Sequence, residues 1–231
     1  MTAADTLRWR RLDARHHLHP FTDHAELAER GSRIIIRAEG CWLWDSEGNR
    51  LLDGMAGLWC VNVGYGRAEL VEAARRQMAT LPYYNTFFQC SSPAAIELAA
   101  RLAELAPGQD RVFFTNSGSE ANDTAIKLVR WFWKLQGRPA KKIMISRAYG
   151  YHGVTLATAS LSGLAAMHAQ ADLPLPGFEH VEAPYWYAHG GSLTPEAHGR
   201  QAARRLKSAS SNLGPTTSPR SSASRSRVPA A

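Results

Sequence analysis

Asp110-Arg111-Val112-Phe113-Phe114-Thr115-Asn116-Ser117-Gly118-Ser119-Glu120-Ala121-Asn122-Asp123 is the stretch that decides the fold. Val112-Phe113-Phe114 is a short apolar, β-prone run and predicts a buried strand. Thr115 to Glu120 is small and polar, and predicts a turn. From Ala121 to Lys134 the residues Ala125, Leu128, Val129 and Phe132 recur near helical spacing, which predicts a helix. A strand, a small polar turn and a helix build an anion site in α/β proteins. The first amides of a helix have no internal acceptor, and the helix dipole is positive at that end. Gly118 lets backbone approach a ligand closely, and Ser117 and Ser119 add hydroxyl donors. The same turn also satisfies a plainer reading, a helix N-cap with Glu120 in the first turn.

Outward from the turn, Gly137-Arg138-Pro139 breaks the helix, and Lys142-Ile143-Met144-Ile145-Ser146 predicts a second strand. Strands joined through a helix of this length imply a right-handed parallel crossover. Ligands of such sheets bind beyond the carboxyl ends of the strands. Ser117-Gly118-Ser119 and Tyr151-His152-Gly153 each follow a predicted strand directly. Residues 154–190 predict mostly loop with short elements, and one strand near His180-Val181.

These two motifs together carry a resemblance. Arg111 to Asp123 resembles the phosphate-binding segment of the class III (fold type I) pyridoxal-phosphate aminotransferases. Gly150 to Thr155 resembles the segment in which that family stacks an aromatic ring on the cofactor. The resemblance covers roughly residues 15–206 and is strongest toward the pyruvate-dependent ω-aminotransferases. His19-Pro20-Phe21-Thr22-Asp23, Gly57 to Gly66 and Tyr84-Asn85-Thr86-Phe87-Phe88 are the other similar stretches. It implies an α/β fragment: an N-terminal arm and small antiparallel meander (1–66), the first part of a mainly parallel sheet with helices (67–206), and a tail (207–231). It implies pyridoxal 5'-phosphate held by Ser117, Gly118 and Ser119, with Tyr151 stacked on the ring and His152 beside it. It implies Phe21, Trp59 and Phe87 as substrate-pocket walls. The reaction implied is amino transfer from an amine or ω-amino acid to pyruvate, in a cytoplasmic homodimer. An aminomutase or a decarboxylating aminotransferase shares the same fold.

The N-terminal half is legible without that resemblance. Residues 5–31 predict an irregular arm with one short helix, extended at His19-Pro20. Residues 33–53 alternate and turn at Glu39-Gly40 and Asp45 to Asn49, which predicts a three-stranded meander. Gly54 to Gly66 predicts an irregular glycine-rich segment. Gly64-x-Gly66 lacks a third glycine and a preceding parallel strand, so it is no dinucleotide turn. On composition alone Trp59 is a core residue. Residues 68–80 predict an amphipathic helix stopped by Pro82, and Pro93 begins another that runs to about Leu105.

Bulk properties exclude several classes. There are 231 residues, 45% of them hydrophobic, with no run long enough to span a bilayer and a polar N-terminus. Cys41, Cys60 and Cys90 are odd in number and unclustered, which predicts a reducing compartment and no disulfide frame. His16, His17, His19 and His24 show no helical pairing with an acidic residue, so no metal is expected. The net charge of +7 suggests nucleic acid, but four of the 27 basic residues follow Leu206, where no acid occurs. That leaves 23 basic against 20 acidic groups in the remainder, so a basic nucleic-acid binder is disfavoured.

The tail from Lys207 is rich in Ser, Pro and Arg and predicts disorder. Back-translated with GC-rich codons and given one extra guanine after the Leu206 codon, it reads Leu-Glu-Glu-Arg-Ile-Leu-Glu-Leu-Gly-Pro-Asp-Asn-Val. This resembles the family's next segment, so a frameshifted, truncated product or a sequencing artefact is expected. The Schiff-base lysine and the carboxylate facing the pyridine nitrogen fall, by resemblance, beyond it. No catalytic residue is therefore assigned, and the chain alone is expected to be inactive.

Overall fold

Three antiparallel strands form where the alternation predicts them: β1 (Ile35–Glu39), β2 (Trp42–Asp45) and β3 (Arg50–Leu52), paired in the order β1-β2-β3. This is seen in a computed structural model, which describes residues 2–212. Trp42 and Trp44 point to one face because side chains alternate along a strand. Arg37 lies 3.6 Å over the Trp44 ring and Arg50 4.2 Å over Trp42, so cations cover both aromatic faces. The β2–β3 turn is held by buried Asp45. Its carboxylate accepts from the Glu47 and Asn49 amides and from Asn49 Nδ2, at 3.0, 2.9 and 2.9 Å. The Asn49 side chain, more than its neighbours, lowers the Asp45 pKa.

The N-terminal arm differs from expectation. It holds two helices, α1 (Ala3–His16) and α2 (His24–Arg30). Thr2 and Asp5 form a capping box, Thr2 Oγ1 accepting from the Asp5 amide while Asp5 accepts from the Thr2 amide. That Thr-x-x-Asp cap starts a helix well before the extended stretch at His19-Pro20. With α1 helical, Asp13 and His17 become an i, i+4 pair. His17 Nδ1 lies 3.0 Å from Asp13 Oδ1, so these histidines do have an acidic partner.

The glycine-rich segment contains α3 (Ala56–Trp59), one turn whose middle is left-handed. Ala56, Leu58 and Trp59 all have positive φ, between 49° and 72°. Each costs roughly 1–2 kcal/mol for an L-residue. Asp53 holds the segment in place. Its Oδ2 accepts from the Gly57 amide at 2.7 Å and from the Tyr65 hydroxyl at 2.8 Å. Helices α4 (Ala68–Thr80) and α5 (Pro93–Leu105) follow at the predicted positions.

The chain divides into two compact units, the first ending at Leu98 and the second beginning at Ala99. The divide falls later than the expected boundary after Gly66. It leaves α4 in the first unit, where α4 has no buried residue.

The second unit is built on α6 (Gly118–Leu135) and a two-stranded parallel sheet of β4 (Met144–Arg147) and β5 (Phe178–Val181). The crossover between the strands runs through α7 (Leu156–Leu161) and α8 (Ala165–Gln170). α9 (Trp186–His189) and α10 (Pro195–Asn212) complete the unit, and Arg205 pairs with Glu182. Ile126, Met144 and Phe178 form the core, with Val129, Ala157 and Leu161 packed against it. The inward face of α6 therefore runs through Asn122, Ile126, Val129 and Trp133, at i, i+4, i+7 and i+11. Leu128 and Phe132, two of the residues whose spacing predicts this helix, are 49% and 52% exposed.

Val112-Phe113-Phe114 forms no strand among the described residues, and Phe113 is 70% exposed. A strand exists only by pairing, and β4 pairs with β5 instead. Residues 207–212, expected to begin a disordered tail, continue α10; residues 213–231 lie outside the described residues. Among the described residues no helix is long and apolar enough to cross a membrane.

Candidate active site

Ser117 caps α6. Its backbone is extended (φ −152°, ψ 159°), and its Oγ accepts from the Glu120 amide at 3.2 Å. The Glu120 carboxylate accepts in turn from the Asn116 amide at 2.8 Å. The Gly118 and Ser119 amides are left without an acceptor among the described residues. A Cβ built on Gly118 would meet nothing within 4 Å. The helix thus ends in open space with two free donors and the positive end of an eighteen-residue dipole.

Past the carboxyl end of β4 the chain turns back. The Gly150 amide donates to Arg147 O at 3.1 Å, the Tyr149 amide to Gly163 O at 2.8 Å, and the Gly163 amide back to Gly150 O at 2.8 Å. The next residues are fastened to α6 by two long-range bonds. Val154 N–H donates to Ser119 Oγ at 3.0 Å, and Asn122 Nδ2 donates to the His152 carbonyl at 2.7 Å. His152 N–H donates to Ser162 Oγ at 2.8 Å, and Ser162 is fully buried. Gly153 passes so close to α6 that a Cβ there would lie 2.6 Å from Ser119 Oγ. Ser117, Gly118, Ser119, Tyr151 and His152 are therefore brought together. Tyr151 is 57% exposed, which leaves its ring surface open.

The electrostatics suit an anion gripped by amides. Burial, and then the nearby His180, push the His152 pKa down, so this imidazole is neutral at pH 7. Asn122, Ser162, Thr158 and His180 position the site but were not singled out as site residues from sequence. Asn122 lies within the quoted stretch; the other three are separated from it by loops and short helices and gave no signal. Asp123 Oδ1 is buried and has no partner among the described residues, an orphaned acceptor beside the same turn of α6.

Phe21, Trp59 and Phe87 belong to the first unit, and all three rings are exposed, at 76%, 81% and 71%. Trp59 is thus not a core residue in this structure. It lines a shallow hollow of about 290 Å³ with Gly54, Met55, Ala56 and Asn62. Phe21 also has positive φ (48°), and Phe87 lies 6.2 Å from the Phe88 ring. Backbone strain under an exposed aromatic is a pattern found at functional surfaces.

Residues 26–213 match the family Aminotransferase class-III. The chain is 55% identical over 208 residues to the putrescine–pyruvate aminotransferase of Pseudomonas aeruginosa, covering 90% of this chain and 46% of that protein. A thermostable (S)-enantioselective omega-transaminase from Thermomicrobium roseum superposes with a TM-score of 0.87 at 44% identity, covering 92% of this chain and 47% of that one. The omega transaminase of Pseudomonas jessenii in complex with PMP gives 0.88 at 42% identity, covering 90% and 47%. The chain thus spans about half the length of the relatives it matches. The extent of the family match and the identity to these relatives leave one assignment: this chain belongs to the class III aminotransferases, whose cofactor is pyridoxal phosphate.

Proposed function

We propose that the second unit supplies the phosphate cradle and stacking ring of a transaminase that moves an amino group from an ω-amine or ω-amino acid to pyruvate. The fastening of α6 to Tyr151-His152-Gly153 through Ser119 and Asn122 carries this reading. The Gly118 and Ser119 amides and the Ser119 hydroxyl hold the phosphate, Ser117 keeps the helix start rigid, and Tyr151 covers the ring. Bound there, the cofactor supplies an electron sink for proton removal next to the amine nitrogen. Neutral His152 orients the ring or its hydroxyl without adding charge. Phe21, Trp59 and Phe87 are assigned to the substrate pocket, and exposed aromatics on the first unit support assembly into a homodimer in the cytoplasm. The similarity to a putrescine–pyruvate enzyme supports a short diamine or related donor.

None of the chain's five lysines serves as the cofactor-linking lysine in this reading. Lys127 is exposed and lies nine residues along α6 from Gly118, about 13 Å at the helical rise. Lys134 is farther along the same helix. Lys141 is held with its Nζ 4.0 Å over the Trp133 ring. Lys142 precedes β4, at the end away from Tyr151, and Lys207 is on α10.

Titration of this polypeptide with pyridoxal phosphate, followed by tryptophan quenching, tests the cradle. Ser119→Ala and Tyr151→Ala are each expected to weaken binding about tenfold, the loss of one charged hydrogen bond or one stacking face. Lys127→Ala should leave it unchanged. Equal binding by all of these would refute the assignment. Amino transfer needs a linking lysine that none of these five supplies, so this chain alone should form no alanine from pyruvate and putrescine, and borohydride should fix no cofactor on it.

A further inference from the structure

We propose that Asp13, His17 and His19 form a binding site for one divalent transition cation of the zinc class, which fastens the end of α1 to the turn at Pro20-Phe21. Local structure brings the three together. Asp13 and the C-capping His17 are one helical turn apart, so they share a face. At His17 the chain becomes extended (φ −113°, ψ 115°), and residues two apart in extended chain point the same way. His19 therefore returns to the same carboxylate. His19 Nε2 lies 3.0 and 2.9 Å from Asp13 Oδ1 and Oδ2, and His17 Nδ1 lies 3.0 Å from Oδ1. All three ligand atoms are within 4.8 Å of one another.

Two imidazole nitrogens and one carboxylate are the borderline donor set that zinc, nickel and copper prefer over calcium or magnesium. Bonds of about 2.0–2.2 Å in a tetrahedron separate ligand atoms by about 3.3 Å. The pairs now at 2.9–3.0 Å need to open by only a few tenths of an ångström, which side-chain torsions absorb. Asp13 and His19 are largely shielded, with side chains 16% and 22% exposed, while His17 at 61% leaves an access path. The buried Ser32 hydroxyl sits beside the Asp13 carboxylate without a well-aligned partner. A donor there fixes a ligating carboxylate in orientation. Arg10, which bonds Ser32 O at 2.9 Å, also pairs with Glu47 at 3.1 Å, so its charge is engaged there. Three protein ligands leave a fourth position for water or for a group brought by a partner.

Chelator-treated protein titrated with zinc chloride tests the site, with the cobalt(II) visible spectrum as an independent reading of coordination. One equivalent is expected to bind and to raise the thermal midpoint by about 5–10 °C at a hundredfold excess over the dissociation constant. His17→Ala and His19→Ala should each weaken binding at least tenfold and abolish the midpoint rise. His16→Ala, an exposed neighbour, should change neither. His17 is exposed, so its replacement leaves the fold intact, as far-ultraviolet dichroism will check. Zinc binding that survives both substitutions, or no binding by the unsubstituted protein at millimolar zinc, overturns the site. Neither outcome bears on the cofactor cradle.

Discussion

Gly153→Ala is the sharpest probe of how the candidate site is assembled. Gly153 has φ +135°, a conformation that L-residues rarely adopt. A Cβ at this position would lie 2.5 Å from Thr158 Oγ1 and 2.6 Å from Ser119 Oγ, where ordinary contact starts at 3.4 Å. Thr158 has no room to yield. It is fully buried, and its hydroxyl is 2.7 Å from Thr155 Oγ1. Ser119 yields only by releasing the Val154 amide. Overpacking of this kind costs about 1–3 kcal/mol, the backbone conformation about 1–3, and the released hydrogen bond about 1. A destabilisation of roughly 3–7 kcal/mol follows. Urea unfolding would show it as a lowered midpoint at unchanged slope. In a Ser119→Ala background one of the two obstacles is gone, so the cost of Gly153→Ala should fall by about 1 kcal/mol. A Gly153→Ala protein within about 0.5 kcal/mol of the original would refute the close approach of this loop to α6.

Asn122→Ala removes the donor to the His152 carbonyl and should cost about 1 kcal/mol, with faster amide exchange at Gly153 and Val154 as the local readout. The Ser32 hydroxyl first, and then His19 and His17, hold the Asp13 pKa down to about 2. A depressed carboxylate stabilises the fold above its ordinary pKa near 4 and loses that contribution as pH falls from 4 toward 2. Asp13→Asn should therefore flatten the acid limb of the stability profile in that window, and an unchanged limb would contradict the cluster. His152 is depressed as well, so the unfolded chain binds its proton more readily. Stability from this group is complete above the ordinary value near 6.5 and declines as pH drops below it. His152→Gln should remove that decline, and a His152 resonance titrating above 6.5 would refute the buried, neutral assignment.

Local rules made much of the fold readable, and where they failed a stronger or non-local rule had taken over. The meander followed from alternation and two turn signals. α4 and α5 followed from periodicity and from proline at their ends. The arm differs because the Thr2/Asp5 cap starts a helix that the pre-proline rule at His19 does not reach, and only that helix pairs Asp13 with His17. Val112-Phe113-Phe114 has the composition of a strand, but composition cannot supply a hydrogen-bonded neighbour. The apolar face of α6 was displaced by about one position. Leu128 and Phe132 are the bulkier residues, but it is Ile126 and Val129 that meet Met144 and Phe178.

The site divides along the same line. Ser117, Gly118 and Ser119 were legible because a helix start advertises itself over a few consecutive residues. Tyr151-His152-Gly153 was legible because it follows a strand. What joins them was not, since Ser119 to Val154 and Asn122 to His152 span 35 and 30 residues. Those two bonds also change the chemical argument. A free helix terminus attracts any anion weakly. A terminus whose second residue and fifth residue are both tied to an aromatic-bearing loop holds its donors at a fixed offset from a ring. A ligand with a phosphate and a planar ring some bonds apart satisfies both at once, while inorganic phosphate satisfies only the donors. Phosphate should therefore compete with pyridoxal phosphate poorly, and Tyr151→Ala should bring the two affinities closer together. Equal affinities in the unsubstituted protein would show that the ring contributes nothing and that α6 acts alone.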